Sequence, residues 1–251
     1  MRRFIACALG VSALVMAMPV FANASSITWG APTGISGDTD VSTSGTLVGA
    51  FNMGGVGIGS TTVNGVLFSA LAVTTSDSSV TSGNFTLTTP FVFASNNNVG
   101  AGPAFLALSP SYRTLLRSEF GSIPGPGGAT TTLTINALAP GSVYQFEWWL
   151  NAQTADPGIE RTTATAGNSV TLLATANIAG IGQFAIGTFT ADATGIETIS
   201  FDGLPQNFLN GFQLREIPAP AAVPEPATLA LLGTGLIGVG TRRWRNRRQR
   251  S

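Results

Sequence analysis

From Ser25 to about Pro218, apolar and polar residues alternate over short stretches broken by Gly, Pro, Asn and Asp. A period of two sends successive side chains to opposite faces, so each stretch reads as a strand with one buried face. The clearest unit is Thr61-Thr62-Val63, Asn64-Gly65, Val66-Leu67-Phe68. Asn-Gly suits a type I′ hairpin turn, whose two central residues both take positive φ. Phe85 to Thr88 alternates, and so does Thr131 to Ile135, with Leu133 and Ile135 on one face. Ala139-Pro140-Gly141-Ser142 is a turn, Pro presetting the first corner and Gly permitting the second. Further strands are predicted at Val143–Leu150, Val170–Ala174, Gln183–Thr190, Glu197–Phe201 and Gly211–Ile217. About nine or ten short strands with frequent Gly turns predict an all-β, two-sheet β-sandwich of jelly-roll type.

Three stretches depart from this period. Ser109 can cap a helix and Pro110 fits its first position. Tyr112, Leu115 and Leu116 then share a face, and Gly121 is the expected stop, giving one short helix of about ten residues. Met1 to Ala24 has Arg2-Arg3, an apolar run from Phe4 to Val20 and Ala22-Asn23-Ala24. That is the pattern of a Sec signal peptide removed by signal peptidase before Ser25. Val223 to Ser251 begins with Pro224-Glu225-Pro226, continues as an uncharged apolar run, Ala227 to Gly240, and ends with Arg242, Arg243, Arg245, Arg247, Arg248 and Arg250. The run is shorter than the ~20 residues that span a bilayer comfortably, so it predicts a marginal, transient membrane helix. The basic tail stays cytoplasmic and everything before Pro224 lies outside. An ordinary single-pass anchor is the plainer alternative. The expected organisation is a signal peptide (1–24), a β-sandwich (25–217), a Pro/Ala linker (218–222) and a C-terminal signal (223–251).

Composition narrows the chemistry. Formal net charge is zero across the 251 residues, but eight of the twelve arginines sit in the terminal signals. The body between them carries four arginines against eleven acids, a charge near −7. That balance gives no footprint for nucleic acid. There is no histidine, and the single cysteine, Cys7, lies in the signal peptide. The body therefore lacks a disulfide, a thiolate nucleophile, a Ser-His-Asp triad and a His/Cys zinc site.

Three candidates for chemistry remain. In Tyr144-Gln145-Phe146-Glu147-Trp148-Trp149-Leu150, the Tyr144/Phe146/Trp148/Leu150 face is core. Gln145, Glu147 and Trp149 share the other face and make a candidate glycan platform, the indole stacking on a sugar ring and the polar groups holding hydroxyls. The plainer alternative puts Trp149 under a loop or the helix and pairs Glu147 with an arginine. Asp38 and Asp40 are candidate ligands for a structural calcium, against the simpler role of turn residues. Asp156, Glu160, Asp192 and Asp202 are read as lying in or near turns. Paired carboxylates, Glu147 with Asp156 or Glu160, would suffice for a polysaccharide hydrolase. No position is singled out as catalytic, and the expected function is non-enzymatic.

Val223 to Arg250 resembles the PEP-CTERM sorting signal of exported bacterial proteins: V-P-E-P, a Gly-containing apolar helix and an Arg-rich end. The resemblance implies recognition by an exosortase, cleavage near the motif, and delivery to the cell surface or an extracellular, biofilm-type matrix beside exopolysaccharide. The body also resembles PEP-CTERM surface proteins of unsettled activity. The matching stretches are DTDVSTSGTLVGAFN (Asp38 to Asn52), VNGVLF (Val63 to Phe68), YRTLL (Tyr112 to Leu116), LAPGSVYQFEWWLN (Leu138 to Asn151), GTFTAD (Gly187 to Asp192) and LNGFQLRE (Leu209 to Glu216). That resemblance implies a galactose-binding-like jelly roll and assigns no catalytic residue.

Overall fold

The computed structural model describes residues 25–74, 77–89, 93–96, 102–122, 130–152, 160–175, 181–204 and 207–218. The predicted signal peptide, the predicted linker beyond Pro218 and the PEP-containing tail lie outside these residues. Among the described residues no helix is long and apolar enough to cross a membrane.

The chain is mostly strand and folds as a β-sandwich. In order the elements are β1 (Thr28–Trp29), β2 (Thr33–Gly34), a 3₁₀ turn (Asp38–Asp40), β3 (Thr46–Gly54), β4 (Thr61–Val63), β5 (Val66–Ala72), β6 (Ser79–Ser82), β7 (Phe85–Thr88), β8 (Phe93–Ser95), α1 (Pro103–Leu106), α2 (Pro110–Arg117) and β9 (Glu119–Ser122). There follow β10 (Thr131–Ile135), β11 (Val143–Leu150), β12 (Arg161–Ala166), β13 (Asn168–Leu173), β14 (Gln183–Thr190), β15 (Glu197–Leu204), β16 (Asn207–Leu209) and β17 (Gly211–Ile217). An eight-stranded sheet runs β1-β14-β11-β17-β3-β5-β4, with β2 also on β14. A six-stranded sheet runs β13-β12-β15-β10-β7-β6, and a small one runs β16-β9-β8. All pairings are antiparallel except β3 with β5.

The main core lies between the two large sheets. Phe212 sits at its centre, with Phe51 at 5.2 Å, Phe146 at 5.6 Å and Phe85 at 5.7 Å between ring centroids. The six-stranded sheet supplies Leu87, Leu133, Ile135, Leu172, Ile199 and Phe201. A second core covers the far face of the eight-stranded sheet, where α1 and α2 bring Phe105, Tyr112, Leu115 and Leu116 against Val63, Phe68 and Trp149. The eight-stranded sheet is thus buried on both faces in its middle.

Local chemistry explains most of the elements. Asn64 (φ 47°) and Gly65 (φ 75°) form the hairpin turn between β4 and β5. Ser109 caps α2, its Oγ accepting from the Tyr112 amide at 3.1 Å, with Pro110 in the first turn. The helix ends earlier than expected. It stops at Arg117, Ser118 turns to extended backbone, and Gly121 lies inside β9 instead of closing the helix. Gly121 is needed there because a Cβ would fall 2.3 Å from the Asn207 carbonyl oxygen of the paired β16. The second helix, α1, is a single turn that the strand pattern did not reveal.

The outer face of the six-stranded sheet is lined by hydroxyls. Following the registers, Ser79, Thr88, Thr132, Ser200, Thr165 and Ser169 form one row across all six strands. A second row is Thr81, Thr86, Thr134 and Thr198. All of these side chains are exposed or half-buried.

Helix α2 seats on Gly211, where a Cβ would meet Leu115 Cδ1 at 2.6 Å and the Phe51 carbonyl oxygen at 2.7 Å. Gly211→Ala is expected to lift α2 and cost about 1–3 kcal/mol through overpacking. Hydrogen exchange of the Tyr112–Leu116 amides should speed up, and unchanged exchange would show that the helix does not depend on this contact.

Candidate functional site

The residues picked out on β11 are brought together, but under cover. Cross-strand register places Arg215 beside Gln145, Gln213 beside Glu147 and Gly211 beside Trp149. This face lies beneath α2 and the segment from Ser36 to Gly45. Trp149 is fully buried. Its Nε1 donates to the Tyr112 hydroxyl at 2.9 Å, and its ring meets Phe68 edge-on at 5.5 Å. Trp149 is therefore no exposed sugar platform. It is the floor on which the helix rests, as the plainer of the two sequence alternatives had it. The period of two marked which face it occupied, but not what covered that face.

Glu147 is also fully buried. Its Oε2 accepts from the Ser42 amide at 3.1 Å and from Gln213 Nε2. Its Oε1 has no partner among the described residues. Gln213 Nε2 also donates to the Ser42 carbonyl at 3.0 Å, and Gln213 Oε1 accepts from Arg215 at 3.4 Å. Gln213 thus stands between the carboxyl group and the guanidinium. Arg215 donates from Nε to the Ser44 carbonyl at 2.7 Å, and from one amino group to the carbonyls of Thr43 at 3.1 Å and Gly45 at 2.9 Å. Gln145 is half-buried and accepts from the Ser42 hydroxyl at 3.3 Å. Together these side chains strap residues 42–45 to the sheet.

A second chain of contacts ties in the 3₁₀ turn. The Tyr112 hydroxyl donates to Asp40 Oδ2 at 3.3 Å. The same carboxylate accepts from the amides of Ser36 at 2.6 Å and Gly37 at 3.0 Å, and from the Ser36 hydroxyl at 2.6 Å. Asp38 accepts from the Ser109 hydroxyl at 2.6 Å. Both acids thus serve as local clasps. Among the described residues no group of three or more His, Cys, Asp or Glu gathers around them.

Electrostatics follow burial. Desolvation is the main cause that pushes the Glu147 carboxyl up to about 7, against hydrogen bonds from Gln213 and Ser42 that favour the charged form. Asp40 pushes it up as well, and Arg215 pulls it down. Burial, with Asp40 second, raises the Tyr112 phenol far above its ordinary value. The other acids are scattered. Asp192 accepts from the Thr194 amide and hydroxyl in its turn, which lowers its pKa. Asp202 lies within β15, not in a turn, and accepts from the Thr130 hydroxyl at 2.5 Å. Glu160 is half-buried ahead of β12. Asp156, the other suggested partner of Glu147, lies outside the described residues, as do Pro224, Glu225, Pro226 and the arginine tail.

Gln213 and Arg215, which hold the strap, were not singled out as site residues. The period of two on β17 sets them on one face, and that signal was available. Their pairing with Gln145 and Glu147 needs the strand order, which the sequence alone does not supply.

A family model described as the PEP-CTERM protein-sorting motif matches residues 222–248. The chain carries a PEP-CTERM sorting motif. It marks an exported protein, sorted through the membrane, with an exosortase as its processing partner. No curated protein matches the chain. Among solved structures, the enzymatically active domain of bacteriophage CBA120 tailspike protein 4 is similar over 53% of this chain at 16% identity and a TM-score of 0.30. This chain spans only 19% of that one. A structure described by the promiscuous specificity of carbohydrate-binding modules from the β-sandwich superfamily is similar over 60% of this chain and 71% of its own, at 13% identity and a TM-score of 0.16. At such scores neither likeness bears on function.

The buried carboxyl gives a signed pH effect. A folded pKa above the ordinary carboxyl value of 4.5 means the native state binds the proton more tightly than the unfolded chain. The contribution is fully present below about 4.5 and is lost as pH rises to about 7. Over that window the loss is about 3 kcal/mol. Glu147→Gln keeps the shape and removes the titration, so urea unfolding of the variant should lose most of this pH dependence and gain stability at pH 8 relative to wild type. An unchanged pH profile would show that Glu147 is not the titrating group.

Proposed function

We propose that this exosortase substrate is a non-enzymatic component of the cell surface or exopolysaccharide matrix, and that its β-sandwich is a structural or glycan-binding module. The observation that carries the reading is the PEP-CTERM motif at residues 222–248. In this reading signal peptidase removes residues 1–24, the apolar segment holds the chain in the membrane, and cleavage near Pro224-Glu225-Pro226 releases the body. The strap over Glu147 supports a non-enzymatic body, since the carboxyl group on which the hydrolase alternative rests is closed off from solvent. Asp38 and Asp40 enter as clasps, and the reading does not depend on a calcium at them.

Two experiments test it. Intact mass of the protein from the cell surface should lack Arg242 to Arg250, and Glu225→Ala should leave uncut chain in the membrane fraction. Surface protein that retains those arginines would make the tail a permanent anchor. The full chain should also bind a neutral or acidic member of a soluble polysaccharide panel, equally with calcium and with chelator. Absence of binding throughout would leave a purely structural role. Binding that disappears with chelator would restore calcium to the account. Turnover of any polysaccharide in the panel would favour the hydrolase.

A further inference from the structure

The eight-stranded sheet hides its outer face under α2 and the strap, whereas the six-stranded sheet leaves its own open. On that open face Ser79, Thr88, Thr132, Ser200, Thr165 and Ser169 stand in register, one from each of six adjacent strands. Neighbouring strands lie ~4.8 Å apart, so the row is a ladder of hydroxyls about 24 Å long. Parallel rows lie about 7 Å to either side, two residues along each strand. Some hydroxyls already pair across strands, as Thr81 with Thr86 at 3.1 Å and Thr163 with Thr171 at 2.8 Å. Each hydroxyl has one donor and two acceptor sites, so such a pair leaves capacity for an outside partner.

Charge decides between partners. The body is acidic, yet among the described strand residues this face carries only Asp202, two residues from Ser200, and Arg161, at the start of β12. A face without a cluster of arginines cannot neutralise phosphates or hold a polyuronate. Ser and Thr are also under-represented among the residues that drive protein–protein association, and among its described residues the face offers no aromatic anchor. What it does offer is a repeating set of donors and acceptors with methyl groups between them, matching a neutral ligand that is itself a repeating set of hydroxyls and CH groups.

Sheet twist narrows the ligand further. Adjacent strands rotate by ~20–25°, so hydroxyl directions turn steadily along the row. A flat crystalline surface would meet only one or two strands. A single polysaccharide chain, free to rotate about its glycosidic bonds, can turn with the row. We infer that the open Ser/Thr face of the six-stranded sheet is a binding track for a single, uncharged polysaccharide chain laid across the strands along the Ser79–Thr88–Thr132–Ser200–Thr165–Ser169 row. The inference rests on the glycan-binding reading above and moves the site away from Trp149.

The test compares the full chain with a variant combining Thr88→Val, Thr132→Val and Ser200→Ala, which removes hydroxyls from the middle of the row while keeping strand-forming shapes. The probes are soluble dextran, a soluble β-glucan and galactomannan as neutral chains, alginate as an acidic one, and microcrystalline cellulose as a flat lattice. The expected result is binding to at least one neutral soluble chain, weakened about tenfold or more in the triple variant. Should the triple variant lose its circular dichroism, the single change Thr132→Arg, which blocks the centre of the row, is read in the same way. Binding that survives these changes would overturn the track and leave the glycan-binding reading standing. Binding to alginate alone or to cellulose alone would overturn the track through its charge or its twist. No binding to any probe would overturn both readings together.

Discussion

Strand β11 must be buried on both faces, and the rest of the body is arranged to meet that demand. Phe146 and Trp148 need one apolar layer, and Trp149 needs another on the opposite side. A two-sheet sandwich supplies only the first. The second comes from a short helix, a single helical turn and an irregular segment, none of which could bury an apolar face alone. The chain therefore forms three layers around β11, and the order of elements along the sequence brings the helices back over the sheet before its centre is complete.

Burial on both faces creates a difficulty at Glu147, where a carboxyl group lies beneath protein instead of water. The fold meets it with Gln213, whose two ends face a carboxyl oxygen and a guanidinium, and with Arg215, whose donors are spent on backbone carbonyls of the strap. Three side chains thereby hold a segment that has no regular hydrogen-bond ladder of its own. Buried networks of this kind specify one arrangement more sharply than apolar contact does, because a shift of one residue leaves several groups unsatisfied.

Much of the fold was legible in the sequence, and what was not has identifiable causes. Val143–Leu150, Gln183–Thr190 and Gly211–Ile217 match their predicted bounds, because long alternation of bulky and polar residues leaves little ambiguity. The Asn64-Gly65 turn was equally plain. Strand β12, RTTATA, went unread because its buried residues, Thr162, Ala164 and Ala166, are small. Strands β1, β2, β8 and β16 are too short to show a period. The helix was found from its Ser-Pro cap, but its end was missed because Gly121 serves a close strand pairing. The face occupied by Gln145, Glu147 and Trp149 was read correctly. Its cover by a loop or the helix stood as one of two alternatives, because coverage depends on residues 36–45 and 103–117, distant in sequence and without a pattern that points to β11.

The last described strand, β17, lies in the interior of its sheet, flanked by β11 and β3, and it is the strand that leads to the sorting tail. Ladder bonds in antiparallel pairs run perpendicular to the strands. Tension applied to the tail acts along β17, so it loads both flanking ladders in shear and must break many bonds at once. A strand at the sheet edge would have one ladder to resist with, and could be peeled away a bond at a time. The point of attachment is thus a strand held by two ladders, well placed to bear a load while the tail is held in a membrane.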